Sequence, residues 1–168
     1  MKIKYITLTG VFTALIFVLT AFVHIPSYTG YVHIGDAFIY LAASILPLPY
    51  AMFAGAVGAV LADVVSGFAI WAPGSLIIKA VTVLFFTAAQ KNIICKRNML
   101  ALIPSAVMCI GGYYLYEGLI YGNFLTPLYG MIGNLAQEAF SSVIFIAAGF
   151  ALDKAHIKEH IHTIGKTS

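Results

Sequence analysis

Residues 128–152, LYGMIGNLAQEAFSSVIFIAAGFAL, decide the fold class of this protein. The 25 residues contain one ionisable side chain, Glu138, and the others are apolar, small or uncharged. A helix that crosses a bilayer needs about 20 mainly apolar residues. A surface helix of a soluble domain would instead carry charges along one face. The stretch therefore predicts a transmembrane helix that buries one acid.

The same composition extends over all 168 residues. Hydrophobic residues make up 61% and charged residues 9%, with a mean hydropathy of +0.97, whereas soluble domains carry about 25% charged residues. Prolines and glycines divide the apolar runs into six predicted helices, at about 5–23, 36–45, 50–67, 75–90, 100–121 and 128–152. We predict an all-α polytopic membrane protein, a six-helix bundle with a short second helix, forming one domain over residues 1–168.

Lysine and arginine set the predicted topology. All of them except Lys79 fall in three segments, before helix one, between helices four and five, and after helix six: Lys2, Lys4, Lys91, Lys96, Arg97, Lys154, Lys158 and Lys166. By the positive-inside rule these segments, and both termini, are cytoplasmic. The net charge of +3 then needs no nucleic-acid partner, and the tail 153–168 is expected to be a frayed, solvated end. We expect a multi-pass protein of a bacterial plasma membrane.

Five ionisable residues fall in the outer half of the predicted bundle: Asp36, Asp63, Lys79, Glu117 and Glu138. A charge at the bilayer centre costs about 2.5–3.5 kcal/mol on insertion scales, so such residues are functional candidates by default. Because all five lie on one side of the membrane, we predict that they form one site for a polar ligand near the external face.

Helical spacing adds neighbours to these charges. Asn134 lies one turn from Glu138, and Tyr113 lies one turn from Glu117. His33 and Trp71 lie in predicted outer loops, where Trp71 fits equally a membrane-interface anchor and a lid over the ligand.

Structural roles stay open for two of the charges. Lys79 could pair with Glu117 and lock helices four and five together. Asp36 could cap helix two rather than touch a ligand, because aspartate is favoured at that position.

Enzymatic motifs are missing from the sequence. It has no phosphate-binding glycine loop, no His-Glu-x-x-His and no Gly-x-Ser-x-Gly. We therefore predict no catalytic activity, no cofactor and no metal site, and interpret His24 and His33 as surface residues. Transporters that act alone are usually built from repeated halves, and this chain has no evident repeat, so a separate protein is expected to supply the energy.

The layout resembles the substrate-binding S components of energy-coupling-factor (ECF) vitamin transporters over essentially the whole chain. The similarity rests on size, six helices, the stretches GYVHIGDAF at 30–38 and ADVVSG at 62–67, and the small pair Gly10 and Ala14 on helix one. The resemblance implies ligand capture by helices four to six under the outer loops. It also implies that Gly10 and Ala14 contact a membrane coupling subunit, which two ATPase subunits drive.

Charge narrows the ligand. Four carboxylates against one lysine disfavour anionic vitamins such as folate, biotin and pantothenate, so a neutral or cationic ring is expected. The best prediction is a vitamin B6 form or hydroxymethylpyrimidine, with thiamine next. A stand-alone proton-coupled transporter using Glu138 and Glu117, and a non-binding assembly subunit of a membrane complex, remain as alternatives.

Overall fold

The computed structural model describes residues 2–26 and 31–163, and these form seven helices and one β-hairpin. The elements, in chain order, are α1 (Lys2–Ala21), β1 (His24–Pro26), β2 (Tyr31–His33), α2 (Gly35–Ile45), α3 (Leu48–Val65), α4 (Ala72–Val83), α5 (Lys96–Tyr121), α6 (Pro127–Lys154) and α7 (Ile157–Thr163). Within this part of the chain, four helices, α1, α3, α5 and α6, are long and apolar enough to cross a membrane. The predicted fold class, an all-α polytopic membrane protein, is confirmed.

The short second helix lies inside the bundle. Ten of the 11 residues of α2 are buried, although the helix is only about 16 Å long at 1.5 Å per residue. It is therefore too short to cross a hydrocarbon core of about 30 Å. Its burial means that the other helices shield α2 from lipid, so the polar side chains it carries face protein.

Small residues on α3 let α1 approach closely. A Cβ atom added at Gly58 would lie 2.8 Å from Ile16 Cγ2 and 3.0 Å from the Thr13 carbonyl oxygen, closer than side chains normally pack. Only glycine therefore fits at this crossing. Packing within the chain thus accounts for part of the small-residue pattern of α3.

Helix four ends earlier than predicted, at Val83 rather than residue 90. Its last bonds tighten to three-residue spacing, with Leu84 N–H donating to Val81 and Phe85 N–H to Thr82. The backbone beyond finds other partners, because the Asn98 side chain accepts from Thr87 N–H at 2.8 Å and donates to the Thr87 carbonyl at 3.1 Å. The bounds of the other five predicted helices lie within four residues of the observed ones.

The carboxyl-terminal tail was wrongly predicted as frayed and solvated over its first part. Residues 157–163 form α7, and Lys158 is only 5% exposed. Its ammonium donates to the carbonyl oxygens of Ser44 (2.9 Å), Ala88 (2.9 Å) and Gln90 (2.6 Å). This long side chain therefore satisfies carbonyls at the end of α2 and in the segment between α4 and α5. Burial lowers the pKa of Lys158. Residues 164–168, including Lys166, lie outside the described residues.

Contacts between basic segments define one end of the bundle. The Lys4 ammonium donates to the Ile161 carbonyl at 2.8 Å, and Lys91 pairs with Glu159 at 3.0 Å. The segments predicted to be cytoplasmic therefore meet, and we call this the inner end. The opposite end, where α1 leads into the hairpin, is the outer end.

The first outer loop contains a β-hairpin that sequence reasoning did not predict. Strands β1 and β2 pair antiparallel, with His24 opposite His33, Ile25 opposite Val32 and Pro26 opposite Tyr31. Residues 27–30, which include the predicted loop residues Ser27, Tyr28 and Thr29, lie outside the described residues. The pairing brings Tyr31 and His33 to a defined place over the bundle, where an irregular loop would leave them variable.

Candidate ligand-binding site

A cavity of about 490 Å³, counted to its open mouth, lies at the outer end between the hairpin and helices α3, α5 and α6. Its lining residues are Tyr31, Val32, His33, Asp63, Phe68, Trp71, Tyr113, Glu117, Gly130, Asn134 and Gln137. Only about 50 Å³ of this space is enclosed, which is below the range of about 300–1,000 Å³ typical of small-molecule sites and holds a few water molecules rather than an organic ring. Aromatic faces and convergent polar groups together form the kind of surface that binds an organic ring with hydrogen-bonding substituents.

A series of neighbouring aromatic rings lies along the cavity. Tyr31 and Phe68 have ring centroids 5.1 Å apart, Phe68 and Trp71 5.4 Å, and Trp71 and Tyr121 6.5 Å. The rings therefore run from the hairpin, across the loop after α3, to the outer end of α5. Trp71 is thus one of the aromatic residues that line the cavity. A flat ligand entering from outside would meet aromatic faces, with which its own ring can stack.

Two acids of the cavity accept hydrogen bonds from these aromatic side chains. The Tyr31 hydroxyl donates to Asp63 Oδ1 at 2.7 Å, and the Trp71 indole N–H donates to Glu117 at 3.3 Å. Burial and the neighbouring Asp63 raise the pKa of the Tyr31 hydroxyl well above its usual range, so it stays protonated and donates. The loops are thus held in place by bonds to the acids of the site.

One side-chain oxygen of Asp63 has hydrogen-bonding capacity that is not used. The residue is only 6% exposed, and its Oδ2 makes no hydrogen bond of regular geometry among the residues that the structure describes, although the Ser75 hydroxyl lies close to the carboxylate. A buried acceptor without a partner costs about 1–3 kcal/mol. Because Asp63 lines the cavity, a donor group on a bound ligand could satisfy this oxygen.

Gln137 connects the floor of the cavity to α2 and the hairpin. Its amide nitrogen donates to Asp36 Oδ2 at 2.7 Å, and its amide oxygen accepts from the His33 N–H at 3.3 Å. The His33 ring in turn accepts from Gly35 N–H through Nδ1 at 3.2 Å. Burial lowers the pKa of His33 to about 4, so the ring is neutral near pH 7. The floor therefore presents polar but uncharged groups.

A buried ion pair lies beneath the floor. The Lys79 ammonium is 2.8 Å from Asp36 Oδ1 and 3.0 Å from Oδ2, and both side chains are 2% exposed. The proposed pairing of Lys79 with Glu117 is therefore wrong. So is the capping role for Asp36, since Ile34 is the N-cap residue and makes no side-chain cap bond. Asp36 is instead drawn inward by a cation from α4 and an amide from α6.

Glu138 also lies below the cavity rather than on its lining. One of its oxygens bonds the Tyr40 hydroxyl, and Oε1 has no hydrogen-bond partner in the described part of the chain. Ligand atoms of Asp36, Cys109 and Glu138 lie within 4.8 Å of one another, a spacing that could suit a metal ion. The Lys79 ammonium, 3.3 Å from Cys109 Sγ, already supplies positive charge there, as a metal ion would.

Six of the nine predicted site residues line the cavity: His33, Asp63, Trp71, Tyr113, Glu117 and Asn134. The other three, Asp36, Lys79 and Glu138, form the layer beneath it. Sequence reasoning did not include Gln137, which lines the cavity. It also left out Tyr31 and Phe68, because no helical period relates their loops to the bundle.

The small pair of α1 faces outward. Gly10 and Ala14 are both exposed, and a Cβ added at Gly10 would have no atom within 4 Å. Exposed Val11 and Val18 flank them on the same helix. Close packing inside the chain therefore does not account for Gly10, in contrast to Gly58 of α3.

Comparison with known proteins identifies the family of the chain. Residues 1–154 match the family described as "ECF-type riboflavin transporter, S component". A Pyrococcus woesei protein described as "Uncharacterized protein in gap 3'region" is 33% identical over 131 residues, which cover 76% of this chain and 80% of that protein. The family match supports a membrane substrate-binding subunit of a vitamin transporter that works with a membrane-embedded ECF module, and the family is one of non-enzymatic transport proteins. The chain therefore belongs to the ECF-type riboflavin transporter S-component family.

Proposed function

We propose that the outer cavity captures a small, uncharged, nitrogen-containing aromatic vitamin, which a separate ATP-driven module then imports. The observation that carries this proposal is Asp63, whose buried Oδ2 lacks a partner in an aromatic cavity. A ligand with an N–H or O–H donor can bond this acceptor, and a ligand with a flat apolar surface can stack on the rings around it. Ring nitrogens and hydroxyl groups of the vitamin would supply the donors.

The charges of the cavity disfavour an anionic ligand. Asp63 and Glu117 line the cavity, whereas the ammonium of Lys79 below it is committed to Asp36. No lysine or arginine is among the lining residues that the structure describes. An anionic vitamin would therefore approach two carboxylates without a cation to receive it.

Riboflavin is our first candidate within this class. Its ring system is neutral, carries an imide N–H and bears a chain of hydroxyl groups, and the family description names it. A vitamin B6 form or hydroxymethylpyrimidine, the ligands predicted from charge alone, meets the same criteria with a single ring and stays the second candidate. Binding of either ligand requires the loops that line the cavity to move apart, because the enclosed volume is only about 50 Å³.

Mass spectrometry of small molecules that co-purify with the protein in detergent identifies the ligand class. Riboflavin, pyridoxine, hydroxymethylpyrimidine and pantothenate are then titrated by calorimetry, with the fluorescence of Trp71, the single tryptophan, as a second readout. We expect a neutral ring to bind and pantothenate not to bind. Tight binding of pantothenate alone would overturn the proposal.

Asn134→Ala sharpens this experiment, because Asn134 lines the cavity. Loss of one neutral hydrogen bond, worth about 0.5–1.5 kcal/mol, should weaken ligand binding roughly 2- to 13-fold. Asn92→Ala is the matched control, since Asn92 is exposed at the inner end. Equal affinities in both variants would remove Asn134 from the site.

We further propose that the exposed pair on α1 contacts the coupling subunit, which acts with two ATPase subunits in a bacterial plasma membrane. Replacing Gly10 by Val and Ala14 by Leu should block assembly with that subunit, because bulk at small positions keeps helices apart. Ligand affinity of the isolated protein should not change, since the cavity lies on other helices. Assembly that survives the double substitution would contradict this role.

A further inference from the structure

A second cavity, of about 950 Å³ counted to its open mouth, lies near the inner end of α5. It forms because α4 ends at Val83 and the chain takes a non-helical course before α5 begins at Lys96. Phe85 lies on one wall, and the first turns of α5 form the other. This cavity is separate from the outer site and shares none of its lining residues.

The rim of this cavity is cationic. Lys96 and Arg97 line it, are exposed, and make no ion pair with any acid of the described residues. The acids nearby have other partners. Asp153 accepts from the Ile93 and Ile94 N–H groups at 2.7 and 2.8 Å, and Glu159 pairs with Lys91. The two cations are therefore open to an anion from outside the chain.

The wall below the rim is apolar. Leu100, which is 57% exposed, and Pro104 follow Lys96 along α5, and Pro104 lies about 12 Å further along the helix axis at 1.5 Å per residue. In the predicted orientation this direction runs from the cytoplasmic surface into the hydrocarbon layer. The positive-inside rule accounts for basic residues at this level, but it does not account for an apolar cavity beneath them.

We propose that this cavity binds an anionic phospholipid of the cytoplasmic leaflet. Its phosphate lies against Lys96 and Arg97, and one acyl chain runs along Phe85, Leu100 and Pro104. Basic pockets between helices on the cytoplasmic side of membrane proteins bind anionic head groups. The apolar wall favours a lipid over a soluble phosphate, and the paired cations favour an anionic over a zwitterionic head group.

The test is native mass spectrometry of the full chain in neutral detergent, titrated with phosphatidylglycerol or with phosphatidylcholine of the same acyl chains. We expect phosphatidylglycerol to bind preferentially. Lys96→Gln with Arg97→Gln should weaken that binding about 30-fold, which corresponds to about 1 kcal/mol for each basic residue lost. Lys154→Gln with Lys166→Gln removes the same charge from the carboxyl-terminal segment and should leave binding unchanged.

A second variant tests the apolar wall. Leu100→Ser should weaken binding of long-chain phosphatidylglycerol more than that of a short-chain form, because only the long chain reaches past the rim. Equal binding of both head groups would overturn the proposal, and so would displacement of the lipid by equimolar inorganic phosphate. Loss of coupling-subunit assembly in Lys96→Gln with Arg97→Gln, with lipid binding intact, would assign the cavity to a protein interface instead.

Discussion

The inner and outer ends of the bundle both bury polar side chains, but they satisfy them differently. At the inner end, Asn98 bonds Thr87 and Ile93, and both oxygens of Asp153 accept backbone N–H groups. At the outer end, Asp63 keeps an oxygen without a partner beside an open cavity. Polar groups at the inner end therefore stabilise irregular backbone, whereas those at the outer end bond one another and leave an oxygen of Asp63 without a regular hydrogen bond.

The ion pair under the outer cavity should give the largest effect. Lys79→Ala would leave Asp36 buried and without its cation, which costs about 3–5 kcal/mol of stability. The variant should unfold at a much lower temperature in detergent. Lys79→Met combined with Asp36→Leu should recover much of the loss, because two matched apolar groups leave no charge behind. If Lys79→Ala were as stable as the wild type, the ion pair would not stabilise the fold.

Asn98→Ala should give the next largest effect. It would leave the Thr87 N–H and the Thr87 carbonyl without the Asn98 side chain and would remove one of the two donors to the Ile93 carbonyl, at a cost of about 3–4 kcal/mol in unfolding free energy. Ligand affinity of the folded fraction should be unchanged, because Asn98 lies at the inner end. The control is Asn92→Ala, which should unfold like wild type. If Asn98→Ala lost as much ligand affinity as stability, the proposed difference between the two ends would be wrong.

His33 should make the outer end sensitive to acid. Its pKa falls from 6.5 to about 4 on folding, so the unfolded chain binds more protons in this range. The contribution of neutral His33 to the free energy of unfolding is present in full above about pH 6.5. It decreases as the pH falls toward 4, and the total loss is no more than about 3 kcal/mol. Asp36, Lys79 and His24 are the charged or titratable groups that face it.

Unfolding measured from pH 7 to pH 4 checks this expectation. His33→Gln should flatten the profile, and His160→Gln, a change at an exposed site of the inner end, should not. An unchanged pH profile in His33→Gln would show that another group is responsible.

Helical periodicity predicted most of the fold. Glu117 and Asn134 were predicted in the outer half because each belongs to a long apolar helix whose depth follows from counting residues, and both line the cavity. The early end of α4 and the α7 helix could not be predicted this way. Both depend on contacts across the chain, from Asn98 and from Lys158, that replace regular backbone bonds.

The roles of individual charges were harder to predict than their depth. Lys79 has a predicted depth in the membrane similar to that of both Asp36 and Glu117, and only the packing of the helices determines that Asp36 is its partner. Tyr31 enters the site through the β-hairpin, whose pairing no local pattern specified.

The most direct test compares Asp63→Asn with Asp153→Asn in the same detergent, measuring both ligand affinity and unfolding free energy. Asp63→Asn should lose a charged acceptor, worth about 1.5–3 kcal/mol or roughly 10- to 150-fold in affinity for the co-purifying ligand, with little change in stability. Asp153→Asn should lower stability and leave affinity unchanged. The opposite pattern, or equal losses of affinity in both variants, would contradict the account.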